Sequence, residues 1–255
     1  MGYNKFIRSG ENFELYEYEN EPVVREHAPR GVKNNASDMD LGTDRANTLS
    51  ERQLGKRQDN ARHASMAFRR LVSSNLSRAQ PPLLLTLTYA ENITDLHVGY
   101  EDYRSFVQAL RYKYGKTFKY ICVPEFQKRG AVHFHALFWG LPAEVFSQER
   151  KTRTLALIWG KGFLFIKETD GDGKLSSYLA KYMSKAFTDR RLKNQKAYIS
   201  SRNVTRPTIG KGFSPVYPVL ENYVGDNNPP IHDKSYHTKY LGMCRYRLFK
   251  LPLDS

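Results

Sequence analysis

Two β-prone runs separated by four polar residues constrain the fold of this chain more than any other feature of its sequence. Apolar residues alternate from Phe118 to Phe126 and again from Ala131 to Trp139, with Gln127–Gly130 between the two runs. A period of two is typical of strands, and a short polar turn with a glycine joins antiparallel neighbours. The sequence therefore predicts a β-hairpin over residues 118–139.

The elements predicted around this hairpin indicate an α+β fold, with a central antiparallel sheet and flanking helices. Hydrophobic spacing and turn residues predict strands over 83–89 and 163–166 and helices over about 50–80, 103–115, 142–158 and 176–187. The resulting order β-α-β-β-α-β-α has no run of parallel β-α-β units, which favours an antiparallel sheet. Residues 188–255 are basic and rich in Tyr and Pro, and their pattern predicts no element.

Charge limits the partners that suit this chain. Its 255 residues include 40 Lys and Arg against 26 Asp and Glu, a formal net charge of +14 with an isoelectric point near 9.7. Residues 1–43 hold eight acidic and five basic side chains, so residues 44–255 carry +17. Such a balance favours polyanions, most often nucleic acid, although basic composition alone does not indicate an enzyme.

The first 43 residues differ from the remainder of the chain. They lack a sustained apolar period, and we expect a peripheral arm with at most one short strand, around Phe13 to Tyr18. Its acidic residues between 11 and 26 could shield a basic groove until DNA displaces them. The predicted parts of the chain are an acidic N-terminal arm at 1–43 and a functional domain at 44–255, with a motif core at 80–190 and a basic C-terminal region at 188–255.

The composition also limits location and metal chemistry. No stretch approaches the roughly 18 apolar residues of a membrane helix, and charges stand in the first 20 residues, where a signal peptide is apolar. We therefore expect an intracellular protein without a membrane partner. The two cysteines, Cys122 and Cys244, are too few for a structural zinc site, so a metal site would use histidines and carboxylates.

A histidine pair lies on the second strand of the predicted hairpin. Because side chains alternate across a strand, His133 and His135 project from one face, about 7 Å apart along the chain, and Phe134 projects from the other. The turn brings Glu125 of the first strand opposite His133. Two imidazoles and a carboxylate suit Mg²⁺ or Mn²⁺ and would also accept zinc or iron. Two histidines that are only hydrogen-bonded on a sheet face are the alternative.

Two tyrosines four residues apart are the second candidate for chemistry. The segment 178–185 predicts a helix, on which Tyr178 and Tyr182 share a face and Lys181 and Lys185 share a face. A tyrosine hydroxyl can attack phosphorus when a metal or a cation withdraws charge from the phosphate. A Tyr-x-x-x-Tyr stripe is also typical of half-buried packing, so both interpretations stay open.

Together these motifs resemble, in order and spacing, the three motifs of the HUH endonucleases that initiate rolling-circle replication. They are Leu84–Tyr89, then Glu125 with Gly130–His135, then Tyr178–Lys185. The paired tyrosines look most like those of the replication initiators of small icosahedral single-stranded DNA phages (Microviridae type) and some plasmid relatives. The resemblance covers about residues 80–190 and implies a ferredoxin-like (RRM-like) sheet with the histidine strand at its centre.

The resemblance implies a metal set and partners. In that family a histidine pair and an acidic or polar third ligand bind Mg²⁺ or Mn²⁺, and the matching residues are His133, His135 and Glu125, with Gln127 as a substitute for Glu125. The implied partners are single-stranded origin DNA and a host DNA polymerase. The chain has no Gly-x-x-x-x-Gly-Lys-Ser/Thr motif, so we expect no nucleotide cofactor and a host helicase for unwinding. The implied location is the cytoplasm of a bacterial host.

The resemblance also implies the chemistry of the tyrosine segment. In that family one tyrosine attacks the scissile phosphodiester, which leaves a 5′-phosphotyrosine link and a free 3′-hydroxyl for the polymerase. Tyr178 and Tyr182 match both nucleophile positions, which implies alternate use in nicking and rejoining. Lys181 and Lys185 match lysines that orient phosphate or stabilise charge.

A basic stretch after the tyrosine segment is a candidate groove for single-stranded DNA. Phosphate contacts from its cations and base stacking on Tyr198 would suit such a groove, and a solvated basic loop is the alternative. The cations assigned to DNA binding are Arg190, Arg191, Lys193, Lys196 and Arg202.

Three other functions compete with the replication nuclease. A non-catalytic module would bind single strands by stacking bases on its sheet, as RRM domains do, but leaves the His, Glu and Tyr motifs unexplained. A cupin-like oxygenase would need a further glutamate just beyond the histidine pair, and residues 136–140 offer none. An HUH transposase or relaxase shares the motifs, but relaxases usually have a third histidine and a tyrosine near the N-terminus.

Overall fold

The chain divides into two compact units, residues 1–59 with 207–255 (unit 1) and residues 60–206 (unit 2). This division differs from the predicted boundary after residue 43. The structure, a computed structural model, describes residues 3–22, 44–142, 148–171, 175, 189–192, 195–212 and 227–251, without the side chains of 44–57 and 148–152.

Strands and helices are interspersed in unit 2, and the described elements after it are strands only. In chain order the elements are β1 (Tyr3–Ser9), β2 (Asn12–Tyr18), α1 (Asp44–Ser73), β3 (Leu83–Tyr89), α2 (Leu96–Tyr114), β4 (Lys119–Phe126), β5 (Val132–Trp139), α3 (Gln148–Trp159), β6 (Gly162–Glu168), a 3₁₀ turn (Arg190–Leu192), β7 (Ile199–Ser200), β8 (Thr208–Lys211), β9 (His232–Thr238) and β10 (Gly242–Lys250). No helix in the described ranges is long and apolar enough to cross a membrane.

Unit 2 contains an antiparallel sheet in the order β6-β3-β5-β4-β7. From β3 to β6 the elements run β-α-β-β-α-β, and the spatial order of these four strands places the first and third in the centre, which is the ferredoxin-like arrangement. The predicted α+β fold is therefore confirmed, and the histidine strand β5 lies in the interior of the sheet.

The predicted hairpin is confirmed as β4 and β5. Its last strand pair is Phe126 with Val132, and the turn is closed by the Gln127 amide, which donates to the Ala131 carbonyl at 2.9 Å. Gly130 has a φ of +91°, which favours glycine at this position because a Cβ is strained there. The polar turn thus fixes the register of the two strands that carry the candidate ligands.

The two faces of this sheet have different surroundings. On one face, Tyr103 and Phe106 of α2 pack against Phe134 and Phe138 of β5, with ring centroids 5.2 and 6.4 Å apart. Trp159, the last residue of α3, joins the same aromatic layer at 5.9 Å from Phe106. The residues of β3 and β5 that alternate with this layer face the other way, and they include the histidine pair.

Unit 1 corrects the expectation of a peripheral arm. Residues 3–18 form β1 and β2, which belong to a five-stranded antiparallel sheet in the order β8-β1-β2-β10-β9. Phe13 and Leu15 are fully buried and cluster with Phe249 of β10. The strand predicted around Phe13 to Tyr18 is confirmed, but the interpretation of an arm is wrong, because its pairing partners lie about 200 residues further along the chain and leave no local pattern.

Gly162 offers a test of the sheet edge in unit 2. Its φ is +151°, and a Cβ there would stand 2.4 Å from the Ala90 nitrogen and 2.5 Å from the Thr88 oxygen. Gly115 also has a positive φ, but a Cβ there meets nothing within 4 Å. We expect Gly115→Ala to lose about 1–3 kcal/mol of unfolding free energy from strain alone, and Gly162→Ala to lose more, since backbone atoms cannot move aside. Equal losses in urea denaturation would contradict this packing.

Candidate active site

Three adjacent strands bring the candidate ligands together on the face of the unit 2 sheet that lies opposite the aromatic layer of α2. Thr88 of β3 pairs with His133 of β5, which in turn pairs with Glu125 of β4. One step along, Thr86 pairs with His135. The predicted pairing of Glu125 with His133 is therefore confirmed.

Both imidazoles are held through their Nδ1 atoms. Thr88 Oγ1 lies 2.9 Å from His133 Nδ1, and Thr86 Oγ1 lies 3.3 Å from His135 Nδ1. The two rings stand 4.6 Å apart with an angle of 75° between them. A contact at Nδ1 fixes the orientation of each ring and leaves Nε2 as its second nitrogen, an arrangement that commonly supports metal-binding histidines.

Glu125 completes this group through His135. Its Oε2 lies 2.9 Å from His135 Nε2, and the histidine is buried whereas the carboxylate is partly exposed. With the proton on Nε2, His135 donates to Glu125 and accepts from the Thr86 hydroxyl. With the proton on Nδ1, it donates to Thr86 and turns a lone pair toward Glu125. A threonine hydroxyl satisfies both tautomers, because it can donate or accept.

The donor set fits a divalent cation in chemistry and in part in spacing. The 2.9 Å between His135 Nε2 and Glu125 Oε2 is close to the ~3 Å that separates adjacent octahedral ligands with bonds of about 2.1 Å. Within the described ranges, no group of three His, Cys, Asp or Glu side chains is arranged to hold a metal ion as it stands. An ion at this site would replace the His135–Glu125 hydrogen bond and draw in the neighbouring His133.

The environment keeps His133 neutral. The pKa of His133 is lowered from 6.5 to about 4, first because burial penalises the charged imidazole and second because His135 is nearby, whereas the Glu125 carboxylate opposes both effects. A neutral imidazole has the lone pair that metal binding needs. His133 is therefore in a ligand-competent protonation state at neutral pH.

The net charge of the chain is concentrated in the unit that contains this site. Residues 60–206 carry 25 Lys and Arg against 11 Asp and Glu, which accounts for the whole +14. Unit 1 carries 15 of each. The sequence-based division had assigned the positive charge to everything after residue 43, and the structure assigns it to unit 2.

The residues predicted to bind DNA have different environments. Arg190, Lys196 and Arg202 are exposed, as a phosphate-binding role requires. Arg191 is also exposed, but it is engaged within the protein: its Nε donates to Asp189 at 2.9 Å, and its guanidinium lies 4.1 Å from the Phe126 ring centre.

Two of the predicted residues contact other side chains of the protein, and five lie outside the described residues. Tyr198 packs edge-on against Phe68, 5.6 Å away between ring centres, and base stacking on Tyr198 stays a prediction. Gln127, the substitute ligand, accepts a hydrogen bond from Arg129 Nε at 3.1 Å. Outside the described residues lie Tyr178, Lys181, Tyr182, Lys185 and Lys193.

Sequence reasoning missed the two threonines that hold the histidines. A signal was present, because leucine and threonine alternate from Leu85 to Thr88, and Thr86 and Thr88 have the same two-residue spacing as His133 and His135. Two polar residues at strand spacing beside a histidine pair at strand spacing predict a cross-strand row when the strands are neighbours. The order of the strands was the missing information.

A comparison with protein-family models found a match over the part of the chain that contains this site. Residues 82–187 match the model of a family described as replication-associated protein ORF2/G2P. The matched region begins at β3, contains the whole histidine site and extends past both candidate tyrosines. No curated protein and no solved structure matches the chain. The family match supports a replication initiator protein.

The electrostatics of His133 can be tested in the metal-free protein. We expect its imidazole to titrate near pH 4, so that its contribution to stability is complete above pH 6.5 and is lost as the pH falls toward 4. Glu125→Gln should lower this pKa further, and His135→Gln should raise it, since the first removes an attraction for the imidazolium and the second a repulsion. Ring C–H signals followed by NMR measure each value, and an unshifted His133 would contradict the buried site.

Proposed function

We propose that this protein is a replication initiator endonuclease that nicks and rejoins single-stranded origin DNA in rolling-circle replication. The observation that carries the proposal is the group of Glu125, His133 and His135 on one face of a ferredoxin-like sheet, inside the region that matches a replication-associated family. The concentration of positive charge in the same unit supports a polyanionic substrate.

In this proposal, His133 and His135 would hold Mg²⁺ or Mn²⁺ through their Nε2 atoms, and Glu125 would hold it through a carboxylate oxygen. Thr86 and Thr88 would then accept hydrogen bonds from the Nδ1–H groups, which would fix both rings in the tautomer that binding requires. Such a cation would supply positive charge near the scissile phosphate and so favour attack on phosphorus.

The proposed nucleophiles are Tyr178 and Tyr182. The phenolic oxygen of one tyrosine forms a bond to phosphorus, and the bond from phosphorus to the 3′ oxygen breaks. The tyrosine releases its proton to solvent, and the 3′ oxygen takes up a proton from solvent to form the 3′-hydroxyl. Lys181 and Lys185 neutralise phosphate charge during this transfer. The second tyrosine allows a later strand transfer that releases the first, and host polymerase and helicase extend and unwind the DNA.

The covalent intermediate gives a direct test of this mechanism. Labelled single-stranded circular or origin-bearing DNA, incubated with the full chain and Mn²⁺, should yield a protein-linked DNA band on a denaturing gel. We expect the band to disappear in the Tyr178→Phe/Tyr182→Phe double variant, because phenylalanine has no hydroxyl to attack phosphorus. The single variants identify the nucleophile of the first step.

Tyr112→Phe is the matched control, since Tyr112 is 96% exposed on α2 and should keep full activity. A band that persists in the double variant would assign the nucleophile elsewhere. If no covalent band forms with any origin but the protein still binds single strands in a salt-sensitive way, the protein is a binding module instead of a nuclease.

The threonine row gives a second test, on metal affinity. We expect Thr88→Val to weaken Mn²⁺ binding roughly 10- to 100-fold, because His133 loses the partner that orients its ring. Thr117→Val is the control, since Thr117 is exposed and precedes β4 at the end of the strand opposite to Glu125. Calorimetric titration with Mn²⁺ measures both variants beside His133→Ala, which should abolish binding. An unchanged affinity in Thr88→Val would refute the role given to this threonine.

A further inference from the structure

Two aromatic side chains stand exposed beside the histidine site and have no part in the mechanism above. Phe163 and Phe165 of the edge strand β6 are 73% and 64% exposed. They pair with Thr88 and Thr86, which in turn pair with His133 and His135, so both rings lie on the same face of the sheet as the histidines. Burial of a phenylalanine ring is favourable, and two such rings side by side on one face indicate a binding surface.

Register fixes how far these rings stand from the proposed chemistry. Thr88 pairs with Phe163 on one side and with His133 on the other, so one strand separates the first ring from the histidine. Since neighbouring strands lie about 5 Å apart, the backbones of Phe163 and His133 are about 10 Å apart. A ligand that lies across the strands therefore reaches both the rings and the histidine pair.

A cleft of about 500 Å³ begins at the first of these rings. Its lining includes Phe163, Thr88 and the turn residues Lys128 and Arg129 of the β4–β5 hairpin. One wall is thus aromatic, another is cationic, and Thr88 also contacts the histidine site. This volume is within the range of clefts that bind small molecules or single nucleotides.

The cations of the turn are available to an anion. Arg129 donates to the carbonyls of Tyr89 and Ala90 and to the side-chain oxygen of Gln127. These partners are neutral, so they fix the guanidinium in place without compensating its charge. A fixed cation beside an exposed ring is a suitable site for a phosphate whose base stacks on that ring.

We propose that Phe163 and Phe165 form a stacking platform that holds the bases next to the scissile phosphate, with Lys128 and Arg129 on the adjoining backbone phosphate. The position relative to the scissile bond rests on the proposed nuclease function, but the binding itself does not. The charge of the surrounding unit favours a nucleic acid over a protein partner. Stacking on phenylalanine tolerates any base, so the platform supplies affinity and positioning and leaves sequence selection to other residues.

The proposal predicts a base-dependent loss of affinity. Binding of the full chain is measured in EDTA, so that no cleavage intervenes, with a labelled oligo-dT strand and an abasic phosphodiester strand of the same length and charge. Phe163→Ala/Phe165→Ala should bind oligo-dT tenfold or more weaker than the wild type and should bind the abasic strand equally well. The Phe163→Trp/Phe165→Trp variant should retain the preference for oligo-dT. Lys128→Ala should weaken both strands alike and reduce the salt dependence by about one ion.

Two controls separate base stacking from a general loss of binding and from self-association. Tyr112→Ala removes an exposed ring on α2 and should change neither affinity. Unaltered oligo-dT binding by the double alanine variant, or an equal loss for both strands, would overturn the proposal. A wild-type dimer that the double alanine variant dissociates, measured by light scattering, would assign the rings to a second copy of the chain. Because EDTA removes the chemistry, a failed nicking assay leaves this result intact.

Discussion

The register of β5 between β3 and β4 is the constraint on which the site depends. Side chains on neighbouring antiparallel strands meet only when the pairing places them opposite each other, and a slip of one residue turns every side chain to the other face. This register places Thr88, His133 and Glu125 in a row across the three strands. Two residues along each strand, on the same face, Thr86 pairs with His135. The same slip that dispersed these ligands would also expose the aromatic layer under α2, so packing and chemistry specify one register together.

The aromatic layer under α2 gives the two faces of the sheet different surroundings. The face under the helices is filled with rings such as Tyr103, Phe106 and Phe138, whose burial stabilises the sheet in the usual way. The opposite face includes threonine, histidine and glutamate, whose polar atoms need partners when they are partly buried. The threonine–histidine contacts provide such partners for both imidazoles.

The sequence predicted the elements whose pattern lies within a few neighbouring residues. The hairpin follows from alternation, β3 from a short apolar, β-prone run, and α2 from helical spacing that ends near Gly115. The pairing of Glu125 with His133 follows from turn length. Three features did not follow. The first strands were interpreted as an arm because their partners are at the other end of the chain. The threonines needed the strand order. Arg191 was assigned to DNA, and only the three-dimensional structure reveals that it is engaged with Asp189 and Phe126.

The charges of unit 1 indicate that its acidic residues have a local role. Glu17 of β2 forms an ion pair of 2.9 Å with Arg247 of β10, the strand beside it, and Glu11, just before β2, pairs with Lys250. Each carboxylate thus compensates a cation of its own sheet, which contradicts the expectation that these two residues act as a removable shield for a basic groove. Because these pairs are partly exposed, each stabilises the sheet only modestly. Unit 1 as a whole carries 15 acidic and 15 basic side chains, so the net positive charge lies in unit 2, which also contains the histidine site.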